Sequence, residues 1–236
     1  MKHLLSAKTK GTSFSPFYLF TLSLFLVACA ADNMDAPDCH VTGRMCYQGQ
    51  PIGVRGSGSA SLTETTTIEL WQAGFGKETP QKVNIKQDGT FSTYIYPGDI
   101  RLITRQGVGP WQQADTLRAT VKGDIQIDYE VTPYFFITDA VYSYDPQTKV
   151  LTASCNVVQV VQEAHINSMG LLVNDRQFVD MANQKASVTN SGQVGNVTFN
   201  IDLSTLTDCH ALYARLFVKS DLSGDAAYST TPFHVW

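Results

Sequence analysis

The sequence predicts an all-β protein in which two tandem β-sandwich domains follow an N-terminal signal peptide. From Ile68 onward, apolar and polar residues alternate in short segments, which is the period of half-buried strands. Gly, Pro, Asp and Asn bound these segments, and the pattern of a long amphipathic helix is missing. The length behind the signal peptide suits two domains of about 100 residues each.

Composition narrows the class of protein further. The chain has 236 residues, of which 43% are hydrophobic and 16% are charged. This content is sufficient to bury a core and excludes disorder over most of the length. The formal net charge of -4 provides no basic surface for a phosphate backbone, so we expect no nucleic-acid partner.

Residues 1–28 have the features of a signal peptide. Lysines precede an apolar run from Phe17 to Ala28 that is too short to cross a bilayer as a helix. The run ends in Leu26-Val27-Ala28-Cys29, which resembles the bacterial lipobox. This resemblance implies that Cys29 is diacylated and anchors the protein to the membrane, since two acyl chains give stable attachment. The alternative is an ordinary signal peptide followed by a coincidental cysteine.

Residues 29–38 form a short acidic tether. Removal of the signal peptide takes away three lysines and no acidic residue, so the formal charge falls from -4 to -7. The acidic stretch resembles the surface-export signal of some Gram-negative lipoproteins, which implies a place on the cell surface at the outer membrane. The alternative interpretation is a solvated linker.

The first predicted sandwich covers residues 39–133. Asp88-Gly89 lies between two strand patterns and predicts a hairpin, because glycine tolerates the positive φ that such turns need. We expect Ile52–Thr65, rich in Gly, Ser and Thr, to form a long loop. Pro133 ends the last strand of this domain, since proline cannot donate to a continuing ladder.

The second predicted sandwich covers residues 134–236. Asp145–Thr148 predicts a turn between two strands, the second of which turns Leu151, Ala153, Cys155 and Val157 to one side. Regular alternation also predicts strands at Val197–Leu203 and Leu212–Val218. Because almost no linker separates the two domains, we expect them to pack end to end.

Both halves resemble known domains. Val41-Thr-Gly-Arg44, Asp88-Gly89-Thr90-Phe91 and Pro97-Gly98-Asp99-Ile100 follow the order of motifs in the carboxypeptidase-regulatory-like, transthyretin-like β-sandwich. Arg44 and Ile100 depart from that pattern. The second half, through Leu206–Val218 and Gly224–Phe233, is similar to immunoglobulin-like domains of the fibronectin type III class.

The whole mature chain resembles a family of two-domain bacterial lipoproteins of unknown function. The lipobox, the tether, the Asp-Gly-Thr-Phe motif and Val131-Thr-Pro-Tyr134 carry this resemblance. Such proteins are often encoded beside starch-utilisation-system-like (SusC/SusD-like) pairs of an outer-membrane transporter and a glycan-binding lipoprotein. The resemblance implies a location and possible partners, with no established activity.

No motif for catalysis, cofactor binding or metal binding is present. The histidines lack zinc-ligand spacing, and no glycine-rich phosphate loop or nucleophile elbow is found. Asp128 and Glu130 alternate with the apolar side of their strand and should face solvent, so they make a poor pair for glycoside hydrolysis. We therefore expect a protein that is not an enzyme and needs no cofactor or metal.

Four cysteines follow Cys29 and permit three full disulfide pairings. Export makes disulfides possible, and a bridge between Cys155 and Cys209 is conceivable because both belong to the second domain. The alternative is a buried, unpaired Cys155, since a free cysteine behaves as a small hydrophobic residue.

The aromatic residues provide the main functional signal. Parity with the core positions turns some of them outward, and others lie in loops; these are Trp71, Phe75, Tyr94, Tyr96 and Trp111. Exposed aromatic rings stack on sugars or anchor protein interfaces. The alternative role is packing between domains or sheets.

Together these observations lead to a functional hypothesis. The chain is expected to be a lipid-anchored, non-catalytic accessory for capture or uptake of a polysaccharide. The second hypothesis is a structural subunit that docks an outer-membrane transporter complex, and a glycoside hydrolase ranks third.

Overall fold

The computed structural model describes residues 35–55, 66–74, 76 and 78–236. Cys29, Phe75 and most of the predicted loop Ile52–Thr65 lie outside these residues. The predicted fold class is confirmed, because the described residues form β-strands and a single 3-10 turn at Ser204–Leu206. In that part of the chain, no helix is long and apolar enough to cross a membrane.

The described part of the first domain contains eight strands. They are β1 (Cys39–Tyr47), β2 (Gln50–Pro51), β3 (Thr67–Gln72), β4 (Gln81–Asn84), β5 (Thr90–Ile95), β6 (Gly98–Ile103), β7 (Leu117–Val121) and β8 (Ile125–Glu130). One sheet is built around β1, which pairs antiparallel with β5 and β2 and parallel with β8. The other sheet has the order β4-β3-β6-β7.

The predicted hairpin at Asp88-Gly89 forms only at its tip. Gly89 has a φ of 85°, and Ile85 and Phe91 make an isolated bridge beside the turn. Beyond that bridge, β4 and β5 separate into different sheets. The turn is therefore a corner between the two layers, because apolar residues of both strands bury into the shared core.

The second domain contains the remaining strands. They are β9 (Phe135–Asp145), β10 (Val150–Gln159), β11 (Ile166–Asn174), β12 (Ala186–Asn190), β13 (Gly195–Asp202), β14 (Tyr213–Ser220), β15 (Ala226–Tyr228) and β16 (Phe233–His234). A three-stranded sheet has the order β13-β10-β9, and a larger sheet has the order β12-β11-β14-β15 with β16 also paired to β14. The predicted inward face of β10 is observed, with Leu151, Ala153, Cys155 and Val157 buried.

Strand β14 departs from the predicted alternation, since residues on both of its faces are buried. Ala214, Leu216 and Val218 belong to the core between the sheets. Arg215 and Phe217, on the opposite face, are also buried. That second face is covered by the first domain and by a small apolar cluster with Val179 and Tyr228.

The contact between the domains is end to face, not end to end. Loops at one end of the first sandwich meet the outer face of the larger sheet of the second. Gly53 pairs with Tyr228 as an isolated bridge, and Ser223 donates to the carbonyl of Gly109 at 2.9 Å. The predicted loop Ile52–Thr65 therefore begins as buried structure, with Ile52 and Val54 in the core.

Candidate functional site

An open groove of about 830 Å³ lies at the junction of the two domains. Strand β2 forms one side, β9 another, and the segment 229–234 the third. The described lining residues are Gln50, Pro51, Phe136, Ile137, Thr138, Asp139, Ala140, Tyr142, Ser229, Thr230, Thr231, Pro232, Phe233 and His234. We call this site the junction groove.

Two stacked aromatic rings line the junction groove. The ring centroids of Tyr142 and Phe233 lie 5.0 Å apart, with planes inclined by 4°. The Tyr142 hydroxyl accepts a hydrogen bond from the amide of Leu216 at 3.1 Å and lies 2.7 Å from the hydroxyl of Ser229. Burial raises the pKa of Tyr142, and these two contacts fix the position of its hydroxyl.

A β-bulge shapes the wall that β9 contributes. Asp139 and Ala140 lie opposite Cys155 of β10, and Asp139 has a φ of 54°. Aspartate tolerates this left-handed conformation better than most residues. Bulges re-aim side chains next to functional sites. Here the bulge lies beside the exposed carboxylate of Asp139, which lines the groove.

Small polar groups and a further ring complete the groove. The Thr138 hydroxyl donates to Asp139 Oδ2 at 3.0 Å, and Asn156 Nδ2 lies 3.4 Å from the same hydroxyl. Phe136 packs edge-on against Tyr47, with centroids 5.6 Å apart. Aromatic faces beside hydroxyl, amide and carboxylate groups form a surface on which a sugar could stack and be hydrogen-bonded.

The junction groove contains a single carboxylate among its described lining residues, that of Asp139. Hydrolysis of a glycosidic bond by the common mechanism needs two carboxyl groups about 5 to 10 Å apart. The pair considered from sequence, Asp128 and Glu130, lies elsewhere on the exposed side of β8, as predicted. Asp128 pairs with Arg44 through bonds of 3.1 and 3.0 Å, and Glu130 accepts from the Gly49 amide.

Two of the predicted aromatics point outward on different sheets. Trp71 of β3 donates its indole N–H to Glu69 at 3.1 Å, and the guanidinium of Arg101 lies 5.6 Å from its ring centroid. Tyr94 of β5 is 56% exposed and stacks on His40 at 4.5 Å. Tyr96 is half-buried just after β5. Trp71 and Tyr94 thus belong to separate surfaces and do not form one platform.

Trp111 contradicts its predicted exposure. Its side chain is 2% exposed and lies in the core of the first domain. Gly109, with a φ of 86°, leaves the space against which the indole packs, because a Cβ there would overlap the ring. Trp111 also bridges to Pro133, so the loop folds inward over the end of the domain.

The four cysteines that the structure describes are free. Cys155 and Cys209 form no bridge, and Cys39 and Cys46 are also unpaired. Cys155 is buried on the inward face of β10, and burial raises its pKa to about 11. Of the two alternatives drawn from the sequence, the structure contains the buried thiol. No cluster of metal-ligating side chains is found in the described ranges.

Comparison with known proteins places the chain in a family. It is 34% identical to a DUF3823 family protein from Parabacteroides merdae, with a TM-score of 0.76, over 86% of this chain and 100% of that one. The chain belongs to the DUF3823 family. Family models match residues 39–132, described as an N-terminal domain of a protein of unknown function, and residues 135–232, described as a domain of unknown function.

Other solved structures share the DUF3823 architecture. A DUF3823 family protein from Bacteroides ovatus is 28% identical, with a TM-score of 0.73, over 84% of this chain and 98% of that one. A proposed carbohydrate-binding protein from Bacteroides uniformis is 17% identical, with a TM-score of 0.69, over 85% and 99%. Among curated proteins, none matches this DUF3823 chain.

The junction groove of this DUF3823 protein was missed by sequence reasoning. Tyr142 alternates regularly with Tyr144 along β9, but Phe233 follows a proline in a short final segment without a clear pattern. Their stacking depends on a contact between β9 of the three-stranded sheet and β16 of the larger sheet. A local signal existed only for Tyr142, as an aromatic residue that alternates with Tyr144 on a predicted strand.

Proposed function

We propose that this protein is a non-catalytic, lipid-anchored protein of the cell envelope that binds a polysaccharide in the junction groove. It serves as a surface accessory of a polysaccharide-utilisation system and assists a SusC/SusD-like outer-membrane complex. One observation carries the binding proposal: the stacked rings of Tyr142 and Phe233 line an open groove that is rimmed by hydroxyl, amide and carboxylate groups.

The chemistry of this groove suits a sugar chain. Sugar rings present apolar C–H faces, which pack on aromatic rings, and equatorial hydroxyls, which need hydrogen-bond partners. The described groove supplies both, through Tyr142, Phe136 and Phe233 and through Thr138, Asp139 and Thr231. Its open form along β9 leaves room for a chain that continues beyond the site.

One structural relative supports the proposal. The Bacteroides uniformis neighbour is itself a proposed carbohydrate-binding protein, and the shared fold covers 99% of it. The lipobox at Leu26–Cys29 supports anchoring, and the acidic tether supports exposure at the cell surface. To test anchoring, cells are labelled with radioactive palmitate: the wild-type protein should incorporate the label, and the Cys29→Ala variant should not. To test surface exposure, intact cells are treated with protease, which should remove the anchored protein.

Phe233 provides the sharpest test of the groove. Purified residues 30–236 are titrated with a panel of plant, microbial and host polysaccharides. We expect Phe233→Leu to weaken binding about tenfold, because the substitution keeps apolar volume and removes the stacking face. Affinity gel electrophoresis and calorimetry measure the change.

Tyr144→Leu is the matched control, since Tyr144 lies two residues beyond Tyr142 on β9 and contacts Trp236 outside the groove. It should leave the affinity unchanged. Absence of binding to every polysaccharide would refute the proposal, and equal losses in the two variants would refute the assignment to the groove.

A second candidate function is docking to a protein partner. Phe178 is 44% exposed and lines a neighbouring cavity of about 480 Å³, which also includes Thr230, Thr231 and Pro232 of the junction groove. Exposed apolar residues of this kind can anchor an interface. If native membranes are gently solubilised and the protein is purified, a companion protein should be recovered with the wild type. The Phe178→Ser variant should be recovered without that companion. Recovery of the chain alone would count against this function.

A further inference from the structure

We infer that the junction groove selects uncharged polysaccharides and disfavours chains that carry carboxylate or sulfate groups. This inference rests on the proposed function and adds the class of ligand. Its basis is the charge of the lining. Asp139 contributes a carboxylate, and no lysine or arginine occurs among the described residues of the groove.

The carboxylate of Asp139 has no compensating cation. No described Lys, Arg or His lies within ion-pair distance of it, in contrast to Asp128, which pairs with Arg44. Lys86 lines the adjoining cavity and not the junction groove. An anionic sugar placed in the groove would meet uncompensated like charge.

The same carboxylate is suited to neutral sugars. Thr138 donates to Oδ2 of Asp139, and no described group donates to Oδ1. An ionised carboxylate accepts hydrogen bonds only, and those it accepts are stronger than bonds between neutral groups. Neighbouring hydroxyls of an uncharged sugar would supply the missing donors. Asp139 therefore acts both as an acceptor for hydroxyl-rich chains and as a barrier to acidic ones.

The test compares each neutral polysaccharide of the panel with its own oxidised form, in which some primary hydroxyls have become carboxylates. Native acidic chains, such as polygalacturonate and dextran sulfate, are included. Titrations are run at about pH 8, above the unperturbed pKa of an imidazole group. We expect the oxidised chains to bind at least about tenfold more weakly, and added salt to reduce this difference because screening weakens repulsion.

Asp139→Asn separates charge from shape. Asparagine also tolerates a positive φ, so the bulge is kept. We expect this variant to bind the neutral chain up to about tenfold more weakly, because a charge-assisted hydrogen bond is lost. Its affinities for the oxidised and the neutral chain should lie within about twofold of each other. Glu163→Gln is the control, since Glu163 is an exposed acid outside the groove. It should preserve the wild-type discrimination.

The outcomes distinguish this inference from the proposed function. If no chain binds, the proposed function fails and the inference with it. If an acidic chain binds more tightly than the neutral ones and Phe233→Leu abolishes that binding, the function stands and the inference is overturned. The inference is also overturned if Asp139→Asn discriminates as strongly as Glu163→Gln. The inference is supported if Asp139→Asn binds the acidic chains and the control Glu163→Gln does not.

Discussion

Arg215 is a cation fully buried between the two domains, with 0% of its surface exposed. It donates to the carbonyls of Val54, Gln87, Val179 and Ser229 at 2.7 to 3.3 Å. Its guanidinium lies 4.7 Å from the ring centroid of Tyr228. Burial lowers the pKa of Arg215 to about 10, so it is still charged at neutral pH. The carbonyl dipoles replace water around this charge, which the planar fork of arginine allows.

Replacement of Arg215 should therefore be costly. We expect Arg215→Met to lower the free energy of unfolding by about 3 kcal/mol or more, because several buried carbonyls lose their donors at once. Urea unfolding followed by fluorescence measures this loss. Arg176→Met is the control, since the Arg176 side chain is 82% exposed. An Arg215→Met protein as stable as that control would contradict this account of the junction.

Asp145 stabilises the turn between β9 and β10 in a pH-dependent way. It accepts hydrogen bonds from the Gln147 amide at 2.8 Å and from the amide and hydroxyl of Thr148, and these bonds hold its pKa below the ordinary value. A carboxyl whose pKa is lower in the folded state stabilises the fold above its unfolded pKa. This contribution is lost as pH falls through the folded pKa.

Asp145→Asn should consequently lower the melting temperature at neutral pH, with a difference from wild type that disappears in strong acid, below both pKa values. Thermal unfolding followed by circular dichroism across the acid range measures it. Asp208→Asn, at an exposed acid without a described hydrogen bond, should show no such pH-dependent difference. A destabilisation by Asp145→Asn that persists unchanged in acid would exclude the ionised carboxylate as its cause.

Strand β1 organises the first domain because it has partners on both edges. Gly43 lies in its middle, opposite Phe91 of β5 and Ile127 of β8. A Cβ at this position would overlap the carbonyl oxygen of Ile127 and the ring of Phe91. The glycine is required by this close approach, since its φ is not positive.

We expect Gly43→Ala to destabilise the protein by about 2 kcal/mol or more, because the added methyl must displace backbone in a packed sheet. Chemical unfolding measures the change. Gly123→Ala is the matched control, because a Cβ at Gly123 meets no atom within 4 Å and no positive φ is required there. The control should stay within about 1 kcal/mol of wild type. Equal effects in the two variants would argue against the packing explanation.

At the scale of the molecule, hydrogen bonds join the two sandwiches into one body. Residues Pro37–Trp236 form one compact unit. The Gln87 side chain donates to the carbonyl of Gln177 and accepts from Val179 and Arg215. Thr66 donates to the carboxylate of the half-buried Asp225, whose pKa is raised by desolvation. These contacts keep the two sides of the junction groove together.

We therefore expect residues 30–236 to unfold in one cooperative transition, with equal calorimetric and van't Hoff enthalpies. Differential scanning calorimetry tests this. Gln87→Ala removes three hydrogen bonds of the junction and should lower the cooperativity. Gln113→Ala, at an exposed position, should leave it unchanged. Two separate transitions in the wild-type protein would show that the domains are stabilised independently.

Local patterns were sufficient to predict the fold class and most strand faces. Alternation on β10 placed Cys155 and Val157 inside, and parity turned Trp71 and Tyr94 outward, as observed. These predictions succeeded because the side chains of a strand alternate between faces whatever its distant partners are. The signal peptide, the anchor at Cys29 and the resemblance of each half to a known domain class stay predictions.

Features that depend on distant contacts were decided only by the tertiary structure. Trp111 is buried because a loop folds over the domain end, and Arg215 is buried because the first domain covers the outer face of β14. The junction groove needs segments near residues 50, 139 and 231, which lie far apart in the chain. Periodicity reports which face a residue occupies within its own strand. It carries no information about what covers that face, and here the covering determines both the junction and the groove.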